Sequence, residues 1–491
     1  MPPTARPRYQ RSPGRRLKAL LVWVSMLAAA TPALIAATPS PGLAAAAQIV
    51  KPPGVRPVSV VRVAGAYEPQ QIVVKYSSRS APAARASRAP AGATSEPSNG
   101  SSTTRLLHLP ASASLDATLA KLRGEKNVVW AVPDYVAHAT VVSIPNDPGT
   151  SHTPGGWEQL QWNFSGLFGI NAPQAWANVA ADGTPGGAKV VVAVLDTGVA
   201  YANRGKYRRS PDFSQYTFVQ GYDFIDRTPY ANDHNGHGTF VTGTIAEATN
   251  NHYGLTGLAY AARIMPVRVL DSAGEGDASV IAEGVRFAVK HGARIINLSL
   301  EFSSGVAAAD IPELIEALHY ANRHGVLVVA AAGNEGGSTI PYPARAKHVI
   351  AVGATTEHGC LASYSNDGRG ITLVAPGGGP DASLPGDPNC NPELPTGRDI
   401  FQMTFTGSSP RVFGFPSGYE GTSMATPHVT AAAALIIAAG ILGRKPTPAQ
   451  ITARLKATAR KLGGPQDQGL YGAGLLDAGA ATTRRGPAVV G

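Results

Sequence analysis

Uninterrupted apolar runs that alternate with helical segments limit most strongly how this chain can fold. Two of these runs are Val190–Leu195 and Val326–Ala332. A strand buried on both faces has this composition, as in parallel sheets covered by helices. Further strands are predicted at 264–269, 295–300, 349–353 and 371–375, and helices at 279–291, 310–324, 423–439 and 448–461. The pattern predicts an α/β fold with a doubly wound, mostly parallel sheet.

Three polar motifs occupy positions suited to chemistry. Asp196-Thr197-Gly198 follows the first apolar run, at the sheet edge where open α/β folds place their active sites. His237 lies in Gly236-His237-Gly238-Thr239, ahead of an apolar segment. Ser423 lies in Gly421-Thr422-Ser423-Met424-Ala425-Thr426-Pro427-His428, where a helix is predicted to begin. Free N–H groups at a helix start can hold an oxyanion, while a serine nucleophile needs a base and a group that orients the base.

Each of these residues also has an ordinary structural interpretation. Asp196 could cap a turn, His237 could donate to a buried carbonyl, and Ser423 could be a helix N-cap. Asn334, after Gly333, could be a turn residue. All four would have to be structural at once, in the order and spacing of a catalytic set, so we favour nucleophilic catalysis.

With Ala330-Ala331-Ala332-Gly333-Asn334 as a fourth motif, residues 161–480 resemble the subtilisin family of serine proteases. The resemblance implies that Ser423 attacks the peptide carbonyl, that His237 is the general base and acid, and that Asp196 orients the imidazole. It implies that the Asn334 side chain and the Ser423 N–H bind the oxyanion. The residues expected to bind an extended substrate are Leu298, Ser299, Leu300, Glu301, Ala331 and Gly333.

Glu301 departs from the family pattern, in which a glycine commonly follows this serine and leucine. The first pocket is the one that receives the substrate side chain directly before the cleaved bond. If the Glu301 carboxylate faces this pocket, basic or polar substrate side chains are favoured. If it points to solvent, as single surface carboxylates often do, the apolar preference common in the family is retained.

The segment 249–255 resembles the family's calcium loop. The implied ligands are Gln161, Asp212, Thr249, Asn251, Tyr253 and Leu255, which supply the hard oxygen donors that Ca²⁺ prefers. The alternative is an ordinary asparagine-rich loop.

Charge and hydropathy divide the chain into a leader and a remainder. Residues 1–138 carry 17 Lys+Arg and 5 Asp+Glu, whereas residues 139–491 carry 25 and 27, so the high pI gives no support for nucleic-acid binding. Six basic residues precede an apolar stretch over 19–37 and the small residues Ala44–Ala47, which is the pattern of a signal peptide. An uncleaved membrane anchor is the alternative, although Pro32 argues against it.

Cys360 and Cys390 are the two cysteines. In an exported protein such a pair predicts one disulfide, with two unpaired thiols as the alternative. Neither has a second cysteine at ligand spacing, which disfavours a metal site.

Strand patterns at 72–76, 106–109 and 128–135 and a helical pattern at 115–123 predict a small α+β open-faced sandwich that resembles subtilisin propeptides, an unrelated N-terminal domain being the alternative. Residues 77–103 are predicted to be a loop. The predicted division is a signal peptide over 1–47, a linker over 48–67, a propeptide over 68–138 and a peptidase domain over 139–491.

These features together predict a secreted, extracellular or periplasmic, serine endopeptidase made as a zymogen. Its expected partners are protein or peptide substrates and its own propeptide, and we expect a monomer with no nucleic-acid partner and no membrane association once the leader is removed. Two alternatives are a non-catalytic binding protein of the same fold and a narrow processing peptidase.

Overall fold

A computed structural model describes residues 67–77, 92–97, 103–110, 112–135, 144–391, 394–463 and 467–484. The predicted signal peptide and nearly all of the linker lie outside the described residues, as does the junction over 136–143.

The N-terminal part forms a four-stranded antiparallel sheet with one helix. Strand order is β2-β3-β1-β4. Helix α1 covers one face and buries Leu119 and Leu122 against Ile72 and Val74. The elements are β1 (Tyr67–Tyr76), β2 (Thr94–Pro97), β3 (Thr104–His108), α1 (Leu115–Arg123) and β4 (Val128–Tyr135). The prediction of a loop over 77–103 was wrong at 94–97, where β2 adds an edge strand to β3 although its residues are exposed.

The larger part is built on a seven-stranded parallel sheet in the order β11-β10-β9-β8-β5-β7-β6. Its central strands β5, β8 and β9 are almost wholly buried, as their apolar composition predicts. The strands are β5 (Val191–Asp196), β6 (Tyr222–Asp223), β7 (Arg263–Arg268), β8 (Ile295–Leu298), β9 (Leu327–Ala331), β10 (Val349–Thr355) and β11 (Leu373–Pro376).

Helices pack on both faces of this sheet and create two hydrophobic cores. The remaining helices are α2 (Trp162–Ser165), α3 (Ala172–Ala181), α4 (His237–Ala246), α5 (Ala278–Lys290), α6 (Pro312–Arg323), α7 (Thr422–Ala439), α8 (Pro448–Thr458), α9 (Gln468–Tyr471) and α10 (Ala478–Thr482). Helices α5 and α6 contribute to one core, and α3, α4 and α7 to the other. The doubly wound α/β prediction is therefore confirmed.

Helix α7 runs through the second core. Among the described residues it is the one helix long and apolar enough to cross a membrane by length and composition, with a mean hydropathy of 1.3. However, 89% of that window is buried inside the protein, so the apolar composition is explained by core packing.

The long segment between β11 and α7 is tied to the body of the protein. It contains a short hairpin of β12 (Thr404–Phe405) and β13 (Phe413–Gly414). A disulfide joins Cys390 in this segment to Cys360, as the cysteine pair predicts. Thr404 Oγ1 donates to the carbonyl of Gly236, directly before His237, so the segment reaches the start of α4.

Candidate active site

The sheet order brings the polar motifs to one crevice. From β5 the chain continues to β6 and β7 on one side, whereas β8 to β11 lie on the other side. Parallel strands end at the same sheet edge, and the change of direction at β5 opens a crevice there. Asp196 ends β5, and Ser299 follows β8 at the neighbouring strand end.

Asp196 and His237 form a buried hydrogen-bonded pair. His237 Nδ1 lies 2.8 Å from Asp196 Oδ1, and the side chains are 26% and 0% exposed. Burial lowers the pKa of His237, but the charge and hydrogen bond of Asp196 and the charge of Asp233 outweigh it, so the pKa is raised overall. The geometry fixes the imidazole with its Nδ1 toward the carboxylate.

Asp233 organises the loop that presents the histidine. Its buried carboxylate accepts from the backbone N–H groups of Asn235, Gly236 and Thr239 and from the Thr239 hydroxyl. Thr197 Oγ1 also donates to it. The loops carrying Asp196 and His237 therefore share one anchor. Sequence analysis did not identify this role, because the only signal was that Asp233 lies close to the histidine motif in the chain.

Ser423 is the second residue of α7, after Gly421 at a positive φ of 145°. Its hydroxyl donates to the carbonyl of Ser299 at 3.2 Å, while Ser299 Oγ donates to the carbonyl of Ser423 at 2.8 Å. Ser423 and His237 line the same cleft, and rotation about χ1 of Ser423 is needed to turn its hydroxyl from Ser299. Hydrogen bonds of this kind often tighten only in the substrate complex.

Asn334 follows β9 and faces the same cleft. Its Oδ1 accepts from Thr422 N at 2.8 Å and from Thr422 Oγ1 at 3.0 Å. Asn334 Nδ2 lies 3.4 Å from Glu301 Oε1, and Asn334 lines the same cleft as Ser423, where an amide donor could bind a developing oxyanion.

The cleft has a volume of about 630 Å³ and includes most of the predicted substrate residues. Ser299, Leu300, Glu301 and Ala331 line it, whereas Leu298 is fully buried in β8. Glu301 contacts Asn334: its Oε2 accepts from Asn334 N at 3.1 Å and its Oε1 from Asn334 Nδ2 at 3.4 Å. Sequence reasoning did not anticipate this contact.

The predicted calcium loop surrounds Asp212. Its Oδ1 accepts from Asn251 Nδ2 at 2.7 Å and its Oδ2 from Leu255 N at 2.8 Å. Gly254 is required here, because a Cβ on it would lie 1.9 Å from Asp212 Oδ2. Tyr253 N and Thr249 Oγ1 make bonds within the loop, to Asn251 Oδ1 and Thr256 Oγ1.

Among the described residues, Gln161 forms no hydrogen bond with Asp212. Its amide pairs with the backbone of Thr256, through bonds of 2.8 and 3.0 Å. The residue that faces the loop is Asp147, whose buried carboxylate accepts from Asn250 N and Asn251 N. Sequence analysis had assigned no role to Asp147.

The two carboxylates make the loop suitable for a divalent cation. Burial raises the pKa of Asp212 to about 8, and the charge of Asp147 adds to the effect. In the described part of the chain neither carboxylate forms an ion pair with lysine or arginine. Buried, mutually repelling carboxylates and oxygen donors are a ligand chemistry that fits Ca²⁺.

A second group of possible metal ligands consists of Asp223, Asp226 and His234. Arg268 Nη1 donates to Asp223 Oδ2 at 2.9 Å and to Asp226 Oδ2 at 2.7 Å. Because the guanidinium already pairs with both carboxylates, an internal ion-pair network accounts for this cluster.

Comparison with known proteins agrees with this architecture. Residues 187–474 match the subtilase family, and residues 54–134 match the fervidolysin N-terminal prodomain. Subtilisin Savinase from Lederbergia lenta is 38% identical over 300 residues, covering 60% of this chain and 91% of that protein. A thermophilic serine proteinase from Bacillus sp. (strain AK1) is 31% identical over 425 residues, covering 86% and 90%. A solved protease structure from Pseudoalteromonas arctica superposes with a TM-score of 0.55 at 31% identity, covering 69% of this chain and 99% of that one.

Proposed function

The chain belongs to the subtilase family of serine proteases and carries a propeptide domain, and from that premise we propose that it is a secreted endopeptidase with Asp196, His237 and Ser423 as its catalytic triad. The observation that carries the assignment is the convergence of the Asp196–His237 pair, Ser423 and Asn334 on one cleft.

In the proposed reaction, Ser423 Oγ attacks the peptide carbonyl while His237 Nε2 takes its proton. Asp196 holds Nδ1–H and stabilises the imidazolium that forms. The oxyanion is bound by Asn334 Nδ2 and by the Ser423 N–H at the start of α7. His237 then donates its proton to the leaving amine, and water hydrolyses the acyl-enzyme by the same route.

Replacing Ser423 with alanine tests the triad. Ser423→Ala should fold and bind peptides but lose peptidase activity by several orders of magnitude, because no acyl-enzyme can form while the oxyanion donors remain. The measurement is kcat/KM on a fluorogenic peptide, alongside labelling by a serine-reactive fluorophosphonate. A mutant within tenfold of wild type would refute the assignment, and wild-type protein that resisted the probe would favour a non-catalytic binding role.

We also propose that the four-stranded N-terminal unit is a propeptide that inhibits the peptidase before activation. Two features support this. The unit ends at Tyr135, directly before the peptidase, and the sheet face opposite α1 presents Trp130 and Val132, which are 39% and 37% exposed. An apolar face of this kind favours association with another surface. The basic, apolar leader supports export, and the disulfide suits an oxidising compartment.

For metal, we propose that Ca²⁺ binds at Asp147, Asp212 and the 249–255 loop. The ion would neutralise the two buried carboxylates and hold the N-terminal end of the peptidase against this loop. Its role is structural, because the loop leads away from α4 at the end opposite His237.

A further inference from the structure

The substrate cleft carries negative charge on both of its walls. Glu275, in the loop between β7 and α5, lines one side, and Glu301, after β8, lines the other. Within the described residues, the side chains that line the cleft include no lysine or arginine. A peptide lying in this cleft therefore meets two carboxylates and no fixed cation besides His237 when protonated.

Glu301 lines the cleft and lies beside the backbone of Gly333, one of the residues expected to bind substrate. Its Oε2 would be only 2.5 Å from a Cβ on Gly333, a residue at a positive φ of 106°. Glycine at 333 thus lets the carboxylate approach the backbone, where it accepts from Asn334 N. Glu301 is exposed at the surface of the cleft, but partial desolvation still raises its pKa, and the charge of Glu335 adds to the rise. No salt bridge to this carboxylate occurs among the described residues.

This position has a consequence for the reaction. Glu301 Oε1 is 3.4 Å from Asn334 Nδ2, the proposed oxyanion donor. A carboxylate there repels the negative charge that develops on the carbonyl oxygen. A neutral apolar substrate side chain would further desolvate the carboxylate without compensation, whereas a cationic one would neutralise it.

Resting on the proposed peptidase function, we infer that Glu301 makes the first pocket select lysine or arginine at the residue whose carbonyl is cleaved. The ammonium or guanidinium group pairs with the Glu301 carboxylate and so reduces the negative electrostatic potential at the oxyanion site. Part of the selectivity therefore appears in kcat, because the compensation matters most when charge develops on oxygen.

The test uses mature enzyme and peptides that differ at one residue before the cleaved bond. That residue is lysine, glutamate or norleucine, which has the carbon chain of lysine without its ammonium group. We expect kcat/KM for lysine to exceed that for norleucine by about tenfold or more, because a hydrogen bond to a charged group contributes at least the free energy that corresponds to a tenfold change. Glu301→Gln should abolish this ratio and raise kcat for norleucine. Glu335→Gln removes a nearby charge that does not line the cleft and should keep the lysine preference. High salt should reduce the wild-type ratio.

Norleucine cleaved as well as lysine by the wild type, or a lysine preference that survives in Glu301→Gln, would overturn the inference. Stoichiometric labelling of Ser423 by a fluorophosphonate separates this result from failure of the proposed function. Labelled enzyme that cleaves norleucine peptides without preferring lysine refutes only the role of Glu301. Protein that is neither labelled nor active refutes the peptidase proposal as well.

Discussion

His237 shows how single residues in this site are tuned by their neighbours. Its imidazole is largely removed from water, which alone would favour the neutral form, yet Asp196 at 2.8 Å favours the charged form. In the proposed mechanism the imidazolium forms during the reaction, so a partner that stabilises it lowers the barrier. Asp233 contributes twice, through its charge and through the hydrogen bonds that hold the histidine loop.

This balance predicts the acid limb of activity. The proposed mechanism requires neutral His237 in the free enzyme, and the pKa of this histidine is raised above the ordinary value of 6.5. Therefore kcat/KM should fall as pH decreases through a midpoint above 6.5, with one proton bound. The measurement is a pH profile of kcat/KM with a norleucine peptide, which carries no titrating group at the cleaved residue. A midpoint below 6 would show that burial, rather than Asp196, dominates the environment of His237.

At the scale of elements, α7 carries a second buried histidine far less suited to charge. His428 is fully buried, with Nδ1 donating to the carbonyl of Met424 and Nε2 accepting from Asn163 Nδ2. Burial lowers its pKa from 6.5 to about 4. Asn163 presents a donor to Nε2, so a protonated ring would place two donors against each other.

Unfolding should therefore become easier in mild acid. The unfolded chain binds a proton at His428 below about pH 6.5, but the folded chain binds it only near pH 4. The contribution of His428 to the free energy of unfolding is fully present above pH 6.5. It decreases by about 3 kcal/mol as the pH falls from 6.5 to about 4. Denaturant unfolding of mature wild-type enzyme that a serine-reactive fluorophosphonate has inactivated, so that it cannot digest itself, measures the loss. His428→Gln should flatten this part of the curve, and an unchanged slope would show that other groups cause it.

The loop over 249–255 is the element for which we propose a stabilising metal ligand. Treatment with a chelator, with metal removal verified, should lower the midpoint of thermal inactivation, because the proposed Ca²⁺ would bind the folded state preferentially. Asp147→Asn and Asp212→Asn should weaken the response to added Ca²⁺, whereas Glu158→Gln, on an exposed side chain, should not. An equal response in all three variants would exclude the loop as the binding site.

The elements also show how far the sequence predicts the structure. The observed ends of the strands that are buried on both faces lie within one to three residues of the predicted ends. The same is true of helices with strong apolar patterns, such as α5 and α6. The short strands β2 and β6 were missed, because their pairing partners, rather than their own composition, define them. Asp147 and the contact between Glu301 and Asn334 were missed for a related reason: both join segments distant in sequence, and neither has a local pattern.

At the scale of the whole molecule, the chain combines an inhibitor-like unit with the enzyme it precedes. Residues 68–138 contain eight Lys+Arg and five Asp+Glu, whereas residues 139–491 are slightly acidic, with 25 and 27. Opposite net charges give a modest attraction at low salt, while the exposed Trp130 and Val132 offer apolar area. We therefore expect association to depend more on that apolar face than on charge.

Separately expressed residues 68–138 should inhibit the mature enzyme in trans at micromolar concentration. Trp130→Ala should weaken inhibition by about tenfold or more, since truncating an aromatic anchor commonly costs over 1 kcal/mol, whereas Lys75→Ala should have a smaller effect that disappears in salt. Inhibition constants from fluorogenic peptide hydrolysis measure both, with circular dichroism to confirm that each variant folds. Folded residues 68–138 that fail to inhibit would leave the unit an ordinary N-terminal domain.

In the full-length chain, Ser423→Ala should accumulate uncut in a host without other proteases, because the first cleavage then has no nucleophile. Correctly trimmed Ser423→Ala from that host would show that another enzyme performs the cleavage.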